Sequence, residues 1–156
     1  HGNGTQAIFY ERDDVTFISI HGDPRTEYPF YLGYADELGA GVGEGFNLNL
    51  PLAHGTGPEG WFAALDRACE AIRASGCDAL VISLGLDTFA DDPVSSSAGF
   101  AGFGLRAPEF AQMGRVLAGL NIPTVVVFEG GYASEALGDN FVEVLRAWHV
   151  DGGPSV

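Results

Sequence analysis

The sequence predicts an α/β domain with a mainly parallel sheet, on three observations. Residues 79–84 (ALVISL) and 124–128 (TVVVF) are continuous apolar runs of strand length, as expected of parallel strands covered on both faces. Strand-like and helix-like segments alternate along the chain, the order that builds a parallel sheet flanked by helices. Two connections, residues 21–45 and 85–106, are far longer than compact domains use unless the loop has a task.

Residues 15–20 (VTFISI) are β-branched and aromatic and predict the first strand, and 46–50 (FNLNL) alternate apolar with polar as a second strand would. A helix follows, with Pro58 in its first turn, Trp61, Leu65, Ala68 and Ile72 along one face, and Gly76 as its stop. Further helices are expected over about 108–119 and 134–148, between and after the two apolar strands. Both long connections leave predicted strands at the edge where open α/β sheets bind ligands. Apolar stretches within them, such as Tyr28-Pro29-Phe30-Tyr31, argue that they pack.

Composition narrows the function. Hydrophobic residues are 46% and charged ones 18% of 156 residues, enough apolar material for one core and too little chain for two ordinary domains. No apolar run approaches the roughly 20 residues that cross a bilayer. Only 7 Lys+Arg against 21 Asp+Glu gives a formal charge of -14, which excludes a phosphate-backbone partner and favours a small cationic one. Cys69 and Cys77 fit no metal or redox spacing and read as reduced structural thiols of a cytoplasmic protein. The chain begins with His1 rather than Met, so upstream sequence is expected.

Chemistry concentrates past the two apolar strands. Residues 83–93 (SLGLDTFADDP) follow the first and 129–132 (EGGY) the second. If the strands are parallel neighbours joined by a helical crossover, Asp87 and Tyr132 emerge at one edge of the sheet. A carboxylate there can bind a metal, and a phenol can donate a hydrogen bond to a polarised carbonyl. Taken alone, an aspartate such as Asp87 after a strand is more often a helix cap or turn former, and a tyrosine such as Tyr132 after Gly-Gly is more often a packing residue. Asp91 and Asp92, just before Pro93, read as loop-shaping residues, with a supporting role near a metal open to one of them. His21 reads as a buried hydrogen-bonding histidine, and His54 and His149 as exposed.

Five ordered segments (HGNGTQ, SIHGDP, GEGFNLNLPL, SLGLDTFADDP and EGGY) resemble the histone deacetylase family, and HGDP followed by YPFYLGYADELG is most similar to its acetylpolyamine amidohydrolase branch. The resemblance implies a three-layer arginase/deacetylase-like α/β fold, with residues 1–156 as the C-terminal part of a single deacetylase domain. It implies a zinc-dependent hydrolase that releases acetate and a free amine from acetylated polyamines or similar small cationic amines. Asp87 matches one zinc ligand; the other two, and the tandem catalytic histidines, would precede His1. A catalytic zinc keeps three protein ligands and an open position for water. Tyr132 matches the residue that stabilises the oxyanion, with Gly130 and Gly131 beside it at the substrate. His1 matches the second histidine of the family's pair, Asn3 a residue that orients a catalytic histidine, and Tyr31 an aromatic on the channel wall.

The same resemblance implies structural potassium ions. Ser19 and Ile20 would hold one beside the zinc, and Phe9, Arg12, Val15 and Phe46 a second; ordinary turn hydrogen bonding is the competing reading. A homodimer is also implied. Alternatives are a lysine deacetylase acting on acetylated protein, a two-manganese ureohydrolase, and a non-catalytic module of the same fold. The ureohydrolase needs D-x-H-x-D and D-x-D motifs where this chain has LDTF and EGGY. In the family's sheet the strand with the missing ligands lies between the strands at 15–20 and 79–84. The chain alone is therefore expected to form two separate strand pairs, to fold without cooperativity and to bind zinc weakly.

Overall fold

The computed structural model describes residues 1–97 and 103–150. Its order is α1 (Asn3–Phe9), β1 (Phe17–Gly22), a 3-10 turn at Gly41–Gly43, β2 (Asn47–Leu52), α2 (Pro58–Ser75), β3 (Leu80–Leu84), α3 (Pro93–Ser97), α4 (Ala107–Ala118), β4 (Thr124–Phe128) and α5 (Leu137–Val150). The helices and strands expected from periodicity are present, with ends shifted by up to about three residues. Periodicity does not reveal helices α1 and α3: each is shorter than two turns and shows no apolar stripe long enough to detect. Residues 98–102 of the second long connection lie outside the described residues.

The chain forms two compact units, 1–76 and 77–156. In the first, β1 and β2 pair in parallel, with Phe17 opposite Asn47 and Gly22 opposite Leu52. Alternation along the strands gives this sheet two unlike faces. Ile18, Ile20, Leu48, Leu50 and Leu52 pack with Ala64 and Ala68 of α2. That burial is what holds an 18-residue amphipathic helix against the sheet. Cys69 lies buried on the same helix, a small apolar residue with a free thiol. The other face carries Asn47 and Asn49. They stand where alternation would place solvent-facing side chains, yet they are only 4% and 3% exposed.

In the second unit β3 and β4 pair in parallel from Leu80 opposite Thr124 to Leu84 opposite Phe128. Helices α4 and α5 pack closely, and Phe110, Met113, Leu117, Val144, Ala147 and Trp148 form much of the core. Gly114 makes the close approach possible, because a β-carbon there would overlap the Val144 carbonyl. Coverage of β3 and β4 on both faces, expected from their unbroken apolar runs, is not found: Val81 is 68% and Val125 59% exposed. The apolar run records the environment for which the strand is built, and the described residues supply one covering face. Among those residues the four strands form two separate pairs, the arrangement that the family resemblance implies.

Candidate functional site

Parallel pairing of β3 with β4 puts their C-terminal ends side by side, and the backbone keeps them joined beyond the strands. The Glu129 amide donates to the Leu84 carbonyl at 3.0 Å, and the Leu86 amide to the Gly130 carbonyl at 2.8 Å. These bonds bring together the two segments singled out in the sequence. Asp87 follows β3 and Tyr132 follows β4, at one edge of the sheet as expected.

Asp87 is half-buried and forms no ion pair among the described residues. Its carboxylate lies against backbone: a β-carbon on Gly130 would come within 2.7 Å of Asp87 Cγ, so only glycine lets the Tyr132 loop approach this closely. Gly131 follows at φ +125°. Burial pushes the Asp87 pKa above the usual carboxylate range, and the negative charge of Asp92 adds to the rise. A carboxylate so placed is costly as an anion, and a bound cation would offset the cost. The described residues contain no group of three or more His, Cys, Asp or Glu able to hold a metal, so Asp87 fits one ligand position and not a whole site.

Asp91 and Asp92, alike in sequence, separate in space. Asp91 points outward to Arg106 at 2.8 Å. Asp92 is 1% exposed and accepts three backbone amides: Val94 and Ser95 on Oδ1, and Tyr132 on Oδ2, each at 3.0 Å. Tyr132 itself is 45% exposed, which leaves its ring accessible.

The first unit holds the remaining candidates. His1 Nδ1 lies 3.3 Å from Asn3 Oδ1, and its ring stacks obliquely on Tyr28 with centroids 4.7 Å apart. Tyr31 is 70% exposed, and Tyr28 and Phe30 are exposed as well, contrary to the expectation that this apolar run packs its loop. A polar lattice packs it instead. Glu37 Oε2 accepts from Gln6 Nε2 at 2.6 Å and from the Gly33 amide at 2.8 Å. Asn49 donates to Gln6 Oε1 at 2.8 Å and to the Tyr34 carbonyl at 3.1 Å, while Asn47 donates to the Glu37 carbonyl at 2.6 Å. Sequence reasoning misses Gln6, Glu37, Asn47 and Asn49 as organisers; the available signal is the pair of asparagines two apart in a strand, which alternation assigns to solvent.

Ser19 and Ile20 lie on β1, Ser19 beside His21. His21 is buried, with Nε2 2.8 Å from the Gly33 carbonyl and Nδ1 2.8 Å from Ser19 Oγ. A carbonyl only accepts, so Nε2 carries the proton and the Ser19 hydroxyl donates to Nδ1, leaving the lone pairs of its oxygen for another partner. Phe9, Arg12, Val15 and Phe46 surround the connection from α1 to β1. The Phe9 carbonyl accepts from the Arg12 amide at 3.0 Å in a turn, and the Phe46 carbonyl from the Phe17 amide at 2.8 Å where β1 meets β2, so one lone pair of each is already used. The Arg12 side chain turns outward to Asp14. His54 and His149 are exposed, as expected.

A half-buried carboxylate and a tyrosine that follow neighbouring parallel strands lie at the edge where open α/β sheets bind ligands. Residues 1–148 match the histone deacetylase domain, and the chain belongs to that family. It is 57% identical over 148 residues to acetylpolyamine amidohydrolase 1 of Pseudomonas aeruginosa, covering 95% of this chain and 41% of the relative. It is 47% identical over 146 residues to the acetylpolyamine amidohydrolase of Mycoplana ramosa, covering 94% of this chain and again 41% of the relative. The crystal structure of acetylpolyamine aminohydrolase from Burkholderia pseudomallei superimposes with a TM-score of 0.90 at 40% identity, over 97% of this chain and 42% of that one. The chain thus has the deacetylase α/β fold and spans about two fifths of the length of the curated relatives it matches.

Proposed function

We propose that the full-length protein is a zinc-dependent amidohydrolase that cleaves acetylated polyamines or similar acetylated amines into acetate and the free amine. The observation that carries this reading is a half-buried Asp87, without a cationic partner among the described residues, drawn against the Gly130-Gly131-Tyr132 turn. Asp87 would serve as one ligand of a zinc that, when bound, supplies Lewis acidity and a water of lowered pKa. Tyr132 would donate a hydrogen bond from its hydroxyl to the amide oxygen as negative charge develops there, an interaction stronger in the transition state than in the ground state. Gly130 and Gly131 would give the substrate access to this backbone, and Tyr31 would offer an exposed aromatic surface to the alkyl stem. The formal charge of -14 favours a cationic amine over an anionic substrate.

Potassium would sit at the Ser19 hydroxyl and Ile20 carbonyl, and a second at the carbonyls near Phe9, Arg12, Val15 and Phe46, in a structural role. Two free cysteines suit a reducing cytoplasm. Among the described residues no helix is long and apolar enough to cross a membrane.

The test is acetate release by the full-length protein from acetylated polyamines and from an acetyl-lysine peptide. Release from the polyamines is expected to dominate, and Tyr132→Phe to lower kcat by about 10²–10³-fold with little change in binding. Release from neither substrate would refute the enzyme reading, and preference for the peptide would move it to a lysine deacetylase.

A further inference from the structure

We propose that Asp92 is a positioning residue that clasps the Tyr132 backbone to the Asp87 loop; the proposal rests on the deacetylase reading above. An aspartate before Pro93 reads as a turn former, and two of its three bonds fit that reading, since Oδ1 caps the start of α3 through the Val94 and Ser95 amides. The third does not. Oδ2 accepts the amide of Tyr132, 40 residues away in sequence and the residue that carries the phenol. Ser95 completes the link, because its hydroxyl donates to the Asp87 carbonyl at 2.8 Å while its amide is held by Asp92. One short turn thereby fixes the backbones of both site residues.

The energetics favour a retained role. Asp92 is 1% exposed and forms no ion pair among the described residues, so its charge is compensated by amide donors. Capping a five-residue helix needs one acceptor oxygen, which a serine or asparagine also supplies. A second buried oxygen aimed at Tyr132 is explained by the site and not by the cap.

Substitutions can separate the two jobs. Asp92→Asn leaves one acceptor oxygen for three donors. Keeping it on Val94 and Ser95 saves two bonds, and the amide nitrogen then faces the Tyr132 amide, donor against donor. Asp92→Ser retains the cap and is too short to reach Tyr132. In the full-length protein, hydrogen exchange should show a protected Tyr132 amide that opens at least about tenfold faster in both variants, while the Ser95 amide stays protected. On an acetylated polyamine, kcat should fall about 100-fold with KM changed less than about threefold, as expected when a reacting group is misplaced by about 1 Å. In a Tyr132→Phe background the same Asp92 substitutions should cost less than about threefold, since the group they position is already gone.

An unchanged Tyr132 amide in both variants would overturn the clasp. Equal losses in the wild-type and Tyr132→Phe backgrounds would show Asp92 to be a general structural residue and overturn the positioning role. Absence of turnover in the wild type would instead refute the deacetylase reading, and the exchange measurement would still decide whether Asp92 holds Tyr132.

Discussion

His21 illustrates how a single residue couples the strand to the long loop. It bonds Ser19 on one side and Gly33 on the other, and a β-carbon on Gly33 would come 2.7 Å from its Nε2. Burial lowers its pKa below the ordinary value. The unfolded chain takes up a proton near the ordinary pKa of about 6.5, while the folded protein resists until lower pH. The contribution to stability is therefore complete above about pH 6.5 and is lost as pH falls through the depressed folded value. The urea midpoint of the full-length protein should be lower at pH 5.5 than at pH 7.5, and His21→Gln should flatten that dependence. An identical slope in the variant would refute the assignment. The burial of His21 is legible in the sequence because it ends a β-branched strand. The different fates of Asp91 and Asp92 are not, since neighbours in a turn diverge according to what lies across from each, and that is a tertiary fact.

Among the elements, strands and long helices follow from periodicity, whereas α1, α3 and the inward asparagines of β2 do not. Alternation in FNLNL correctly gives a two-faced strand, but it cannot say that the polar face meets Gln6 and Glu37 rather than water. The exposed Tyr28, Phe30 and Tyr31 are the converse case: apolar character points to packing, while hydrogen bonds converging on Glu37 hold the loop. Packing of α4 on α5 depends on Gly114. Alanine there gains up to about 1 kcal/mol of helix propensity but overpacks the Val144 backbone at a cost of about 1–3 kcal/mol. Because that backbone cannot yield without parting the helices, Gly114→Ala should lower the Tm of the full-length protein by several degrees. An unchanged or higher Tm would show that the helices separate freely.

At the scale of the whole molecule, the order of the five motifs along the chain is enough to indicate the family, and the family resemblance implies the two separate strand pairs found among the described residues. Isolated two-stranded pairs are marginal, and the bare face at Val81 and Val125 is apolar surface of the kind larger sheets cover. The candidate site is likewise partial: one half-buried carboxylate with the backbone of the Gly130-Gly131-Tyr132 turn drawn against its loop at a strand edge. The proposed function requires Asp87 to be a ligand of a zinc needed for amide cleavage. The direct measurement is acetate release from an acetylated polyamine by full-length protein stripped with a chelator and then titrated with zinc. The stripped protein is expected to release no acetate and to recover as zinc is added, with no recovery in Asp87→Ala at the same zinc concentrations. Undiminished release after chelation, or full recovery in Asp87→Ala, would contradict that requirement.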